Sequence, residues 1–249
     1  MKAMILAAGL GTRLQPLTDD RPKALVEVGG RTMLEITLAR LRTFGIREVI
    51  INVHHFADTI VEYLKRNSNF GMRIEVSREE ALLDTGGGLK KAAHFFLEDS
   101  TNLEEPFILH NVDVISTIDL QRMAQFHVAN RVLATLAVNT RESSRYLLFN
   151  EELHLCGRRV GSNSKTELVR PSEHMQALAF CGVHIISPLL LSMITEEGAF
   201  SIIDAYLRLA NREVKILAFR ADQYYWRDLG TPGGVIQATR DVEQQIIPQ

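Results

Sequence analysis

The sequence predicts an α/β fold built on a doubly wound, mixed but mostly parallel sheet, with a smaller insertion in the second half. Three observations predict it. The chain opens on Ala3-Met4-Ile5-Leu6-Ala7-Ala8, an unbroken apolar run stopped by glycine, the pattern of a strand covered on both faces. Strand-like and helix-like segments then alternate through the first hundred or so residues. With 249 residues, 46% of them hydrophobic, the chain can bury one substantial core.

In order, Ala24 to Val28 reads as a short strand ended by Gly29-Gly30. Met33 to Phe44 carries Leu34, Leu38 and Leu41 at helical spacing and stops at Gly45. Glu48 to Val53 is a strand, Ala57 to Arg66 a helix through Ile60, Val61 and Leu64, and Arg73 to Val76 a strand. This β-α-β-α-β rhythm calls for parallel strands joined by right-handed crossovers, a Rossmann-like layer. Asp84-Thr85-Gly86-Gly87-Gly88 reads as a loop before a helix from Leu89 to Phe96. Phe107 to His110 is a strand ending in Asn111-Val112-Asp113, and Asp119 is placed to cap a helix from Leu120 to Val128.

The second half is less regular. Thr135 to Asn139 and Tyr146 to Phe149 read as strands, Glu151-Glu152 as a turn, and the polar stretch Arg158 to Arg170 as a mobile loop or flap. Leu178 to Ile186 is a long apolar strand interrupted by Gly182. Ser201 caps a helix from Ile202 to Leu209, Val214 to Phe219 alternates as a strand, and Thr231-Pro232 opens the terminal helix. A single domain over 1–249 is expected, with a nucleotide-binding half at 1–130 and a second half with the terminal helix at 131–249. No internal repeat is visible, and in particular no hexapeptide array of a β-helix.

A formal net charge of −2 offers no electrostatic footprint for nucleic acid or an acidic membrane surface. The first apolar run is too short for a signal peptide or a membrane span, so a cytoplasmic protein is expected. Cys156 and Cys181 lack metal-ligand spacing and read as ordinary thiols of a reducing compartment.

The chemistry begins where the first strand ends. Gly9 and Gly11 permit close backbone approach, so main-chain N–H groups can line an anion-binding concavity at the sheet's C-terminal edge. Arg13 adds a rigid fork for phosphate oxygens and Lys23 a mobile point charge. No Gly-Lys-Ser/Thr follows, which excludes the Walker loop, and the third glycine of the dinucleotide fingerprint is absent. A dinucleotide oxidoreductase would need that glycine and would have no use for Pro22-Lys23. Asp113 and Asp228 each close a strand, on what should be the same sheet edge. Two carboxylates facing a phosphate loop meet the need of Mg²⁺, which takes one or two protein carboxylates together with substrate phosphates.

The run Gly9 to Leu25, G-x-G-T-R-L-x-P-L-T-x-x-x-P-K-x-L, resembles without a gap the signature of the sugar-1-phosphate nucleotidyltransferases. Trp226, Asp228, Gly230, Thr231 and Pro232 match a second segment of that family, W-x-D-x-G-T-P. Length and the Thr-Gly-Gly-Gly loop look most like its N-acetylmuramic acid 1-phosphate uridylyltransferase branch. The resemblance implies that a sugar 1-phosphate attacks the α-phosphorus of an NTP in line and pyrophosphate leaves. It implies that Arg13 holds the departing pyrophosphate, Lys23 bridges the attacking and transferred phosphates, and Asp113 with Asp228 holds Mg²⁺. Ala7, Ala8, Gly9, Gly11, Thr12, Glu79, Gly86 and Gly87 become the nucleotide-binding set, and Asn111 and Gly182 the sugar-binding set, which would make the insertion sugar-binding. A monomer or small homo-oligomer is expected.

Three departures bear on the substrate. Val112 replaces the usual glycine before the metal aspartate, Thr32 replaces a common proline, and Gln176-Ala177-Leu178 stands where many members place a Glu-Lys pair against the sugar. Position 79, glutamine in some uridylyl and thymidylyl relatives, is Glu79. A carboxylate only accepts, so it suits uracil N3–H or the N1–H and amine of guanine. UTP ranks ahead of GTP because the nearest-looking branch uses it. A catalytically silent sugar-nucleotide-binding paralogue is the rival reading, opposed by the retention of Arg13, Lys23, Asp113 and Asp228 together.

Overall fold

A computed structural model describes residues 1–98, 105–161 and 165–246. β1 (Ala3–Leu6) leads through two 3-10 turns, Thr12–Leu14 and Lys23–Leu25, to the hairpin β2 (Glu27–Val28) and β3 (Arg31–Thr32). Next come α1 (Met33–Thr43), β4 (Glu48–Val53), α2 (Ala57–Arg66) and β5 (Arg73–Arg78). α3 (Asp84–Lys91), α4 (Ala93–Leu97), β6 (Phe107–Asn111), β7 (Val114–Ser116) and α5 (Leu120–Asn130) follow. The remaining elements are β8 (Ala134–Asn139), β9 (Arg145–Phe149), β10 (Leu155–Val160), β11 (Lys165–Leu168), β12 (Gln176–Ile186), α6 (Ile202–Asn211), β13 (Ile216–Arg220), β14 (Trp226–Asp228) and α7 (Pro232–Glu243).

The chain forms two compact units: Met1–Asp84 with Leu109–Ile118 and Tyr224–Gln249, and Thr85–Ile108 with Asp119–Gln223. The terminal helix belongs to the first unit, where Gly29 N–H donates to Thr239 Oγ1 on α7 at 3.3 Å.

In the first unit the end of β6 from Leu109, β1, β4 and β5 lie side by side in that order, with β4 parallel to both β1 and β5. Ala3, Met4, Ile5, Val49, Ile50 and Ile51 are buried, as expected of strands covered on both faces. α1 buries Leu34, Leu38 and Leu41, the residues that set its period in the sequence. Thr32 caps α1 by accepting the Glu35 N–H at 3.1 Å, which gives a role to the residue that replaces the common proline. Apart from this sheet, β7 and β14 form a two-stranded antiparallel ribbon.

The second unit arranges β11, β10, β9 and β12 in order, antiparallel throughout, and adds β8 antiparallel to β12 and β13 parallel to β8. Gly182 has φ 73° where the β12·β8 register shifts, so the interruption in the apolar run is a β-bulge. Phe95, Phe107, Phe149 and Tyr206 anchor this unit's core, with Phe96 stacked on Phe107 at 3.8 Å. Asp119, Ser201 and Thr231 all cap helices as expected, accepting from the N–H groups of Arg122, Ile203 and Gly234.

Two expectations change. The glycine triplet is not a loop: Gly86, Gly87 and Gly88 are buried inside α3. Packing explains it, because Gly86 N–H donates to the Phe200 carbonyl at 2.9 Å and a Cβ at Gly86 would strike the Phe200 ring. The stretch from Arg158 to Arg170 is not a flap either, since it contains the hairpin of β10 and β11, with 162–164 outside the described residues. Its polarity misleads because β11 is exposed, and the pairing is carried by the ladder and by Arg158 on Glu167 at 2.8 Å. Among the described residues no helix is long and apolar enough to cross a membrane. Cys156 and Cys181 are buried free thiols, and burial pushes Cys181 up to about 12.

Candidate active site

The loop after β1 turns back on itself at Gly11, which adopts φ 70°. Its carbonyl accepts the Leu14 N–H at 2.8 Å and the Thr18 hydroxyl at 2.9 Å, closing the turn. A Cβ on Gly11 would come within 2.9 Å of the Thr18 methyl and 3.2 Å of Lys23 Cβ, so glycine is what lets Lys23 lie against the loop. Among the described residues, no protein group accepts from the backbone N–H groups of Gly9, Leu10 or Gly11. Those donors suit an anion.

Lys23 reaches inward and pairs with Asp113 Oδ2, both side chains being mostly buried. Asp113 lies with Val112 in the turn between β6 and β7, while Asp228 ends β14. The β7·β14 ribbon, not the main sheet edge, brings the two together: Asp228 is registered with Val114, and the Asp113 carbonyl accepts the Leu229 N–H at 2.8 Å. Val112, in the place of the usual glycine, is fully buried, so its branched side chain stays out of the cleft that its neighbour faces.

Gly230 marks the point of convergence. A Cβ there would lie 2.7 Å from Arg13 Nη2, 2.8 Å from Asp228 Oδ1 and 3.2 Å from Asp113 Oδ2. Asp228 Oδ1 also accepts the Gly230 N–H at 2.7 Å, which fixes the carboxylate after the strand ends. A side chain here would displace the ends of the Arg13 and Asp228 side chains, so glycine is what leaves the three groups at this point. Two carboxylates and a guanidinium then share one small volume, with the Lys23 ammonium on the Asp113 side. The carboxylates are hard oxygen donors of the type Mg²⁺ selects, each with a second oxygen beyond the one just described.

Behind β14, the buried Asp241 of α7 accepts from the Tyr225 hydroxyl at 2.5 Å, Arg227 Nε at 2.9 Å and Gln237 Nε2 at 2.9 Å. Burial penalises its charge, but these hydrogen bonds outweigh it and hold the carboxyl below its ordinary value. Arg227 and Asp228 alternate across the strand, so clamping the first aims the second.

The other end of the loop is tied down from the sheet. Ala7 N–H donates to Asn52 Oδ1 at 2.8 Å, Asn52 Nδ2 donates to Glu79 Oε1 at 2.7 Å, and Leu83 N–H donates to Glu79 Oε2 at 3.0 Å. Asn52 and Glu79 are both buried. Ala8 is buried beside them, while Gly9 and Thr12 are exposed. His110, at the end of β6, is buried with Nδ1 on the Asn111 carbonyl at 2.8 Å, and burial holds it down to about 4. It is neutral at physiological pH. Gly86, Gly87 and Gly182 belong to the second unit.

Sequence reasoning missed Asn52, Gly230 as a steric requirement, and Asp241. Asn52 leaves a trace, a single amide in the otherwise apolar end of Glu48 to Val53. Asp241 leaves none, because a helical aspartate near the chain's end reads as solvated.

A sequence model of the nucleotidyl transferase family matches residues 2–245. The chain belongs to this family. Among curated relatives it is similar to the mannose-1-phosphate guanyltransferase of Yarrowia lipolytica, 30% identical over 96% of this chain and 63% of that protein. It is also similar to the N-acetylmuramate alpha-1-phosphate uridylyltransferase of Caulobacter vibrioides, 31% identical over 95% of this chain and 94% of that one. This nucleotidyl transferase thus spans under two thirds of the first relative and nearly all of the second. The crystal structure of HddC from Yersinia pseudotuberculosis shares the fold, with TM-score 0.77 and 21% identity over 97% of this chain and 99% of that one.

Proposed function

We propose that this nucleotidyl transferase moves a nucleotidyl group from an NTP to a sugar 1-phosphate, forming an NDP-sugar and pyrophosphate. The convergence of Arg13, Asp113 and Asp228 on Gly230, with Lys23 paired to Asp113, is the observation that carries the reading. Oxygen of the sugar phosphate attacks the α-phosphorus, and the bond to the pyrophosphate oxygen breaks. A phosphate monoester is already an anionic nucleophile, so no general base is required. Positioning and charge neutralisation do the catalysis.

Arg13 takes the leaving pyrophosphate with its planar fork, and the loop of Ala7, Ala8, Gly9, Gly11 and Thr12 lines the nucleotide, its backbone donors coming from the residues beyond Ala7, whose N–H is taken by Asn52. Lys23 is freed from Asp113 to follow the charge that shifts between attacking and transferred phosphates. Mg²⁺, held by Asp113 and Asp228, would neutralise phosphate charge at the same place. In this reading Glu79 belongs with the nucleotide-binding residues and Asn111 with the sugar-binding ones.

UTP ranks ahead of GTP in this reading, because the motifs look most like the uridylyltransferase branch and a relative 31% identical is named a uridylyltransferase. The buried free thiols suit a reducing cytoplasm, and a monomer or small homo-oligomer suffices for a site assembled within one unit. The test is pyrophosphate release with Mg²⁺ from UTP, GTP, dTTP or ATP, each paired with N-acetylmuramic acid, glucose, mannose and heptose 1-phosphates. Release with one pair identifies the substrates. NTP binding without release from any pair overturns catalysis and leaves the silent paralogue.

A further inference from the structure

The three parallel strands of the first unit reach one edge together, with Leu6 registered on Asn52 and Asn52 on Ser77. Beyond Leu6 the β1·β4 ladder stops, and the next donor, Ala7 N–H, is taken by the Asn52 side chain instead of a carbonyl. The assignment of the amide is forced. A backbone N–H must face Oδ1, so the NH₂ group must face Glu79. The other carboxylate oxygen of Glu79 faces a donor as well, the Leu83 N–H five residues past β5. Glu79 is itself held by its own backbone: its N–H donates to the Val53 carbonyl at 2.8 Å, and its carbonyl meets His54 Nδ1 at 2.9 Å. Asn52 is 2% exposed and Glu79 5%.

Each oxygen of Glu79 is thus occupied by a donor of the chain, and each polar group of Asn52 has one partner. Only an acceptor-only group fits between two donors. Uracil and guanine are not needed to explain a carboxylate here. We propose that Glu79 and Asn52 are positioning residues: together they set the departure of the phosphate loop at Ala7 and of the following segment at Leu83, and they act on NTP binding irrespective of base. This rests on the nucleotidyl-transfer reading for its functional half, while the strut itself stands on geometry. Ala7 N–H is then committed to Asn52, and the nucleotide meets the donors beyond it.

The polarity of the relay supplies the test. Glu79→Gln places an NH₂ against either Asn52 Nδ2 or Leu83 N–H, and Asn52→Asp places a carboxylate against Glu79. The double variant restores every pairing, because the new carboxylate on β4 would accept from Ala7 N–H and from the new amide on the neighbouring segment, whose oxygen accepts from Leu83 N–H. Two readouts are taken on the full chain: KM and kcat for UTP and for GTP, and hydrogen exchange of the Ala7 and Leu83 amides. Each single variant is expected to raise KM for both nucleotides about tenfold, to speed exchange at both amides, and to keep a folded melting transition. The double variant returns both readouts towards wild type. A change confined to one nucleotide shows direct base reading and overturns the proposal. So does a single variant with wild-type KM, or a double variant no better than the singles. If the wild type turns over no substrate pair, transfer itself fails, and the exchange measurement with NTP binding by calorimetry still decides the strut.

Discussion

Asp113 and Asp228, far apart in the chain, meet at one end of the β7·β14 ribbon, where Asp228 is registered with Val114 and the Asp113 carbonyl accepts the Leu229 N–H at 2.8 Å. Their proximity is therefore a property of backbone pairing and survives changes at the carboxylates. Asp113→Asn and Asp228→Asn are each expected to lower turnover by about two orders of magnitude with little loss of stability. EDTA is expected to abolish activity in the wild type and Mg²⁺ to restore it. Full turnover by either variant removes that aspartate from the metal site.

Gly230→Ala tests the convergence without touching a charge. The new methyl group would press on Arg13 Nη2 and Asp228 Oδ1, at 2.7 and 2.8 Å. Arg13 is exposed and can swing away, so the melting temperature holds while kcat/KM falls about a hundredfold through misplacement. Wild-type kcat/KM with an unchanged melting temperature would show that the three groups need not meet at this point.

The two cations are separable by kinetics. Lys23→Ala leaves Asp113 without its cation and, in the proposed role, removes a charge that follows the transition state, so kcat is expected to drop. Arg13→Lys keeps the charge but loses the fork, and kcat/KM falls by at least about tenfold. An effect of Lys23→Ala on KM alone would mean uniform ground-state binding by that residue.

Stability should fall on acidification through a buried histidine of the second unit. His127 bonds Thr135 Oγ1 at 3.0 Å, and burial holds it down to about 4 from its ordinary 6.5. Above 6.5 both folded and unfolded chains keep it neutral and it contributes no pH dependence. Between 6.5 and 4 the unfolded chain binds a proton that the folded chain refuses, so stability is lost as pH falls, by about 1.4 kcal/mol per pH unit. Urea midpoints at about pH 7 and about pH 4.5 measure it. His127→Gln keeps a donor for Thr135 and cannot titrate, so its midpoint falls less than that of the wild type.

The alternation of β1 to β5 with α1 and α2 was legible along the chain, because a buried period is written in Leu34, Leu38, Leu41 and in Val49 to Ile51. So were the caps at Asp119, Ser201 and Thr231, since local hydrogen bonding is readable residue by residue, and the contiguous motifs put forward Arg13, Lys23, Asp113 and Asp228, which the structure brings together near Gly230. Other features came only with folding in three dimensions. The glycine triplet became helix because Gly86 packs against Phe200, a partner over a hundred residues away. The polar run after Cys156 became a hairpin because an exposed strand needs no apolar alternation once Gly157 admits the Glu167 carbonyl. Glu79 acquired its partners Asn52 and Leu83 only when parallel strands aligned, and Asp228 met Asp113 only through the β7·β14 ribbon. Pairing between distant segments is set by the summed packing of the core, and no single stretch of residues carries that information.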